Sequence, residues 1–366
     1  MKIGILGAGQ LALMMIEAGK KLDLEFRTFD PASDACAAKE AEFVHAKFED
    51  TQALLRFSTG LGAVTLEWEN VPASSAQAVQ AEVPNFFPHP EAVSVLQDRL
   101  TQKQLLTSLG IANAIYHSVE TLAELKRAIQ YVGTPAVLKL RRQGYDGKGQ
   151  VKVQTDSDAE SAWKKLGEKP CIFEKWIQFD REVSLVFARD QKGKYKFYPL
   201  VQNEHQDGIL KLTRAPAPKL SPILQITAEA TAKKIGEKFN TAGVFAIEFF
   251  QMKEFLSVNE IAPRVHNSGH WTIEGTACSQ FENHLRAGLG LAMGPTQATH
   301  VCVMLNLIGT LPLERAQREL REIPGATLHL YGKLPRPGRK LGHLTIIADT
   351  EAAIEIRLAK ARLLLN

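Results

Sequence analysis

The chain has 366 residues, 45% hydrophobic and 23% charged, with 44 Lys and Arg against 40 Asp and Glu, a formal net charge of +4. This composition fits a globular protein, excludes a disordered or fibrous chain, and at roughly 150 residues per domain suits two or three domains. Four surplus charges, with no basic stretch interleaved with aromatic residues, exclude a nucleic-acid surface but allow an anionic small molecule held by local cations.

The N-terminal strand Lys2–Leu6 is too short an apolar run for a secretory signal. No stretch approaches the ~18 apolar residues of a membrane span, so no membrane contact is expected. Gln10–Lys21 predicts a helix, Leu24–Phe29 a second strand ending at Asp30-Pro31, and Ala63–Trp68 a third apolar run closed by Glu69-Asn70-Val71-Pro72. A helix follows over Ala73–Ala81, and this alternation implies a parallel sheet. From Asp98 the pattern changes. Arg99–Leu109 and Leu122–Val132 predict helices, and Pro135–Leu140 predicts a strand before a glycine-rich stretch. Cys171–Trp176, Arg181–Arg189 and Tyr195–Val201 predict strands close enough in sequence to pair antiparallel. Ser221–Phe239 predicts a long helix, and Val244–Phe250 with Phe255–Ile261 a hairpin. Strands near His300–Leu307, Ala326–Leu330 and Leu344–Ile347 precede a terminal helix. Cys36, Cys171, Cys278 and Cys302 form no C-x-x-C pair, as expected of free thiols in a cytoplasmic protein.

Gly7-Ala8-Gly9-Gln10-Leu11-Ala12 fits G-x-G-x-x-A between a strand and a helix, with Asp30 where a ribose-binding acid belongs, and alone would suggest an NAD-dependent oxidoreductase. Physically it says that backbone N–H groups at a helix start can approach an anion, or that strand and helix pack tightly. Sharper signals are charges inside apolar runs. Lys139 interrupts Ala136–Leu140, where an unpaired ammonium would be costly, so it should meet an anion. Gly144-Tyr145-Asp146-Gly147-Lys148-Gly149-Gln150 then supplies backbone donors able to close over phosphates; a solvated turn is the alternative.

Glu248 interrupts Val244–Phe250, and Glu260 ends Leu256–Ile261. A three-residue turn at Met252-Lys253-Glu254 would set Glu248 opposite Val258, with the two carboxylates on one face as diagonal neighbours about 7 Å apart. Two acids facing each other in an apolar hairpin repel unless a cation lies between them. Oxygen ligands beside phosphates suit Mg²⁺. Glu174-Lys175-Trp176-Ile177, followed by Glu182, offers backbone for a purine edge and a carboxylate for ribose hydroxyls, or is merely an amphipathic strand with its turn.

Together these residues resemble the ATP-grasp ligases and, within them, the 5-(carboxyamino)imidazole ribonucleotide synthetase family of purine biosynthesis. The matching strings are Gly7-Ala8-Gly9-Gln10-Leu11, Glu67-Trp68-Glu69-Asn70-Val71-Pro72, Gln97-Asp98-Arg99, the 144–150 loop, and Asn259-Glu260-Ile261-Ala262-Pro263-Arg264-Val265-His266-Asn267-Ser268-Gly269-His270-Trp271-Thr272. The resemblance spans nearly the whole chain.

It implies an α/β and α+β architecture. A Rossmann-like (pre-ATP-grasp) parallel-sheet domain over 1–98 precedes an ATP-grasp domain over 99–298, with a lid at about 115–175, and a small C-terminal α/β domain over 299–366. ATP is implied at Arg99, Lys139, the 144–150 loop, Glu174 to Ile177, Glu182, His205, Asn259 and Glu260. Mg²⁺, or Mn²⁺, falls on Glu248 and Glu260. Aminoimidazole ribonucleotide falls at Asp146, Arg264 and His266, with its phosphate near Lys333 and Arg339. Lys139 would neutralise charge in phosphoryl transfer, Arg264 would hold bicarbonate, and Asp146 or His266 would accept the amine proton; a structural histidine is the alternative for His266. The resemblance also implies a homodimer whose partners are ATP, bicarbonate and aminoimidazole ribonucleotide. Sister ligases using formate or biotin are the nearest alternatives. Ala12-Leu13 departs from the family's usual Gly-Arg, which leaves an N-terminal phosphate contact without its arginine.

Overall fold

The structure, a computed structural model, describes residues 1–144 and 147–365. Three sheets organise it. The first is parallel, in the order Glu42–His45, Glu25–Asp30, Lys2–Leu6, Ala63–Leu66. The strand Glu42–His45 and the helix Thr51–Ser58 were not apparent from the apolar pattern, being short and half polar. The helix Gln10–Lys20 buries Leu11, Ala12, Met14, Met15 and Ile16, an i, i+3, i+4 set. Leu13, at the family's arginine position, packs against the same core.

A second sheet is antiparallel: Tyr116–Val119, Cys171–Lys175, Ala136–Leu140, Gln150–Val153. The helices Leu122–Val132 and Ala159–Lys165 cover it through Leu125, Ile129 and Trp163. The third has nine strands, ordered Phe255–Ala262, Gly243–Met252, Arg181–Arg189, Val201–Gln206, Ile209–Ala215, Val301–Ile308, Lys340–Ala348, Ala326–Leu330, with Tyr195–Phe197 pairing beside Arg181–Arg189. The C-terminal strands therefore continue the central sheet. The helix Pro222–Phe239 packs Leu224, Ala228, Ala232 and Ile235 in one core with Phe187, Phe245 and Phe249.

Three expectations are corrected. Tyr195–Val201 is not one strand: Tyr195–Phe197 ends before Pro199, which has no N–H for a ladder, and Val201 opens the separate strand Val201–Gln206. Cys171–Lys175 does not pair with Arg181–Arg189. The N–H groups of Lys175 and Trp176 donate to Ile115 and Pro135, while Asp180 N–H donates to Gln251, so consecutive strands are committed to different sheets. The hairpin turn is also shorter than expected. Met252 faces Phe255 across Lys253-Glu254, with Lys253 at φ +54°, and the register shifts beyond Phe249 so that Asn259 bulges. Glu248 consequently pairs directly with Glu260 rather than diagonally. No described helix is long and apolar enough to cross a membrane.

Candidate active site

A cavity of about 850 Å³ is lined by residues from all three sheets. Every described residue expected at the site lines it except Gly149 and Arg339. Tyr145 and Asp146, expected in the nucleotide loop and, for Asp146, as proton acceptor and substrate contact, lie outside the described residues. Arg339 turns to Asp34 at 3.8 Å, while its neighbour Lys340 lines the cavity.

The helix Arg99–Ser108 sets one wall. Its cap, Asp98, accepts from Leu100 N–H at 2.9 Å and pairs with Arg141 at 2.8 Å and Arg142 at 3.1 Å, joining the helix start to the second sheet. Arg99 then reaches Leu140 O at 3.2 Å, Gly144 O at 3.0 Å and Glu260 Oε2 at 3.4 Å. Lys139 meets its anion within the chain: its Nζ donates to Glu174 Oε2 at 3.1 Å, and Lys103 Nζ lies 3.6 Å from the same oxygen. Burial alone would raise the Glu174 pKa, but Lys103 and Lys139 hold it at about 2.

Gly147 lies against the turn at Asp207 and Gly208 in the central sheet. At Gly147 (φ +72°) an added Cβ would lie 2.7 Å from Asp207 O, so no side chain fits there. His205 Nδ1 and Glu182 Oε2 are 2.6 Å apart on paired strands. Burial opposes charge on His205, but the Glu182 bond and the Glu248 field outweigh it and raise its pKa.

Glu248 and Glu260 face one another directly, where paired Cβ atoms lie roughly 4.5–5.5 Å apart. Burial, followed by repulsion from Glu260 and Glu182, lifts Glu248 to about 7 against the pull of His205. His266 Nε2 is 3.6 Å from Glu248 Oε1, but burial holds that imidazole neutral, so the contact is no ion pair. Among the described residues no group of three or more His, Cys, Asp or Glu side chains converges on one point. Two carboxylates with repulsion to relieve nonetheless fit Mg²⁺, which retains waters and takes phosphate oxygens for its other positions. Since Glu248 must be ionised to act as a ligand, Mg²⁺ affinity is expected to rise as pH increases through about 7. Calorimetric titration at pH 6 and pH 8 measures this; equal affinities would contradict it.

Toward the N-terminal sheet, Arg264 pairs with Glu69 at 2.8 Å and donates to Val265 O at 3.0 Å. Burial raises the pKa of Glu69 despite Arg264. Glu69, Lys103 and Lys340 were not among the expected site residues; the signal available for Glu69 was its place in the Glu67–Pro72 string, where two acids close an apolar run. Lys333 bonds the Gln10 side chain. The fingerprint loop is occupied by the chain itself: Ala8 N–H donates to Asp30 Oδ2 and Gly9 N–H to Glu67 Oε1, both at 2.8 Å. A Cβ on Gly9 would sit 2.6 Å from that Glu67 oxygen. These glycines admit a buried acid of the chain, and the Ala8 and Gly9 donors of the fingerprint are taken.

Three family models match the chain: "ATP-grasp domain" over residues 104–281, "Ribonucleotide synthetase preATP-grasp domain" over 1–97, and "Phosphoribosylaminoimidazole carboxylase C-terminal domain" over 302–357. The sequence is 42% identical to an N5-carboxyaminoimidazole ribonucleotide synthase of Pseudomonas aeruginosa, covering 100% of each chain. The fold superposes on the crystal structure of an N5-carboxyaminoimidazole ribonucleotide synthetase from Thermus thermophilus with a TM-score of 0.94 and 47% identity, over 99% of this chain and 98% of that one. It also superposes on an Aspergillus clavatus N5-carboxyaminoimidazole synthase in complex with ADP and 5-aminoimidazole ribonucleotide, with a TM-score of 0.90 and 32% identity, over 99% and 98% of the two chains.

Proposed function

The chain belongs to the N5-carboxyaminoimidazole ribonucleotide synthase family, and from that premise we propose that it carboxylates the 5-amino group of 5-aminoimidazole ribonucleotide with ATP and bicarbonate, in purine biosynthesis. The observation that carries this reading is the convergence, in one cavity, of Lys139, the glycine loop, the facing Glu248 and Glu260, and Arg264.

In this reading a bicarbonate oxygen attacks the γ-phosphorus of ATP and ADP leaves, giving carboxyphosphate. Its C–O bond to the phosphate then breaks to CO₂ and phosphate. The substrate amine adds to the CO₂ carbon and loses a proton, forming the carbamate. Phosphoryl transfer depends mainly on positioning and charge neutralisation. In this reading Arg99 and Lys139 face the phosphates, and the glycine loop acts as a lid that keeps carboxyphosphate from water. Arg264, already paired with one carboxylate, is set to hold bicarbonate by its planar fork. Mg²⁺, or Mn²⁺, held by Glu248 and Glu260, would supply charge neutralisation at the β- and γ-oxygens. Asp146 and His266 are the candidates to accept the amine proton; burial disfavours a charged His266, and its Nδ1 already accepts from Ser268 N–H at 3.3 Å, which favours Asp146. We assign the substrate phosphate to Lys333, which lines the cavity, and to Arg339, which in this structure pairs with Asp34.

We take the functional units as 1–98, 99–298 with a lid at about 115–175, and 299–366, a division that the three matched segments support. A homodimer acting in the cytoplasm completes the proposal; the four cysteines, all free thiols, suit a reducing compartment. ADP release is the test. It is expected to require aminoimidazole ribonucleotide and bicarbonate together. Release that follows formate or biotin instead would assign a sister ligase.

A further inference from the structure

Arg99 and Lys103 are one helical turn apart and share a face. Arg99 reaches the Glu260 carboxylate, whereas Lys103 is 2% exposed and points beneath it. An ammonium has three donors. That of Lys103 meets three acceptors: Asn259 O at 3.0 Å, Val258 O at 3.3 Å, and Glu174 Oε2 at 3.6 Å. The two carbonyls belong to the bulge, where Asn259 is the residue without a partner on the facing strand. The bulge sets the register in which Glu260 faces Glu248. Next to Lys103, the Gln102 side chain bonds both the N–H and the C=O of Ile261, at 3.0 and 3.1 Å, fixing the far side of Glu260. The third acceptor, Glu174, holds Lys139 on the second sheet.

We propose that Lys103 is a positioning residue for the ATP reaction: it clamps the Asn259 bulge under the paired carboxylates and ties it, through Glu174, to Lys139. The proposal rests on the ATP-ligase reading above. Removing Lys103 alone leaves two buried carbonyls and part of the Glu174 charge without a partner, so stability falls in either role and only a metal or kinetic readout separates positioning from packing. Groups that orient metal ligands from behind typically cost ten- to a hundredfold in metal affinity or activity when removed.

The test compares the full chain with Lys103→Met. Calorimetry of ADP binding at increasing Mg²⁺ is expected to show the Mg²⁺ half-saturation raised by about tenfold. ADP release should lose roughly ten- to a hundredfold in kcat, while KM for ATP moves less. A purely structural lysine would lower the melting temperature and leave the Mg²⁺ half-saturation of the folded protein unmoved. A folded variant with half-saturation and kcat within about twofold of the unsubstituted chain overturns the proposal. Should Lys103→Met not fold, Lys103→Gln, which keeps donors without the charge, is judged by the same criterion. If the unsubstituted chain releases no ADP with aminoimidazole ribonucleotide and bicarbonate, the proposed function fails, and the calorimetric arm alone decides the role of Lys103.

Discussion

Glu260→Gln is expected to lower ADP release by about a hundredfold or more while the protein melts within a few degrees of the unsubstituted chain. The substitution keeps length and shape, and the amide oxygen can still accept from Arg99, now 3.4 Å from Oε2. What disappears is one of two negative charges that face each other across the hairpin. With a neutral group there, Glu248 loses its strongest repulsive neighbour and the pair loses its reason to hold a divalent ion. Steady-state ADP release together with a thermal melt checks this. Turnover near that of the unsubstituted chain would remove Glu260 from the proposed metal site, and loss of turnover with loss of folding would reassign it to structure.

The second large effect is on stability. Glu174 is 4% exposed and faces two lysines, one of them almost wholly buried. Glu174→Gln removes the carboxylate and leaves Lys103 and Lys139 repelling each other in a low-dielectric site. Breaking a buried pair from one side costs about 3–5 kcal/mol. For units of this size that corresponds to a melting temperature lower by roughly 6–20 °C. The pH dependence carries a definite sign. Glu174 is held at about 2, below its ordinary 4.5, so its contribution is full above pH 4.5 and is lost as pH falls from there toward 2. The gap between unsubstituted and substituted protein should therefore narrow below pH 4.5. Scanning calorimetry at pH 7.5 and pH 4 measures both, and equal melting temperatures at pH 7.5 would show that the pair contributes nothing.

Much of the fold was legible in the sequence because period and punctuation are local. Leu122–Val132 and Ala326–Leu330 have the expected bounds, and most other expected elements end within one or two residues of expectation, but elements such as Ile209–Ala215 and Gln280–Gly288 were not apparent from the apolar pattern. The site was legible for a different reason. Lys139, Glu248 and Glu260 interrupt apolar runs, and a charge in such a place needs a partner. The Asn259–Thr272 string then carried the family resemblance.

What the residues could not show alone was which partner each charge meets. Lys139 was expected to meet an anion, and tertiary structure supplies Glu174, 35 residues away, with Lys103 behind it. The glycine fingerprint pointed to a dinucleotide, but its donors end on Asp30 and Glu67. Local sequence thus determined the strands, the helices and the identity of the charged groups, since burial periodicity and turn chemistry act over a few residues. The bulge that brings Glu248 opposite Glu260, the separation of Cys171–Lys175 from Arg181–Arg189, and the Glu69–Arg264 pair were decided only by the tertiary structure. Desolvation of a charge is offset only where distant segments meet, and a one-residue shift in register changes which groups meet.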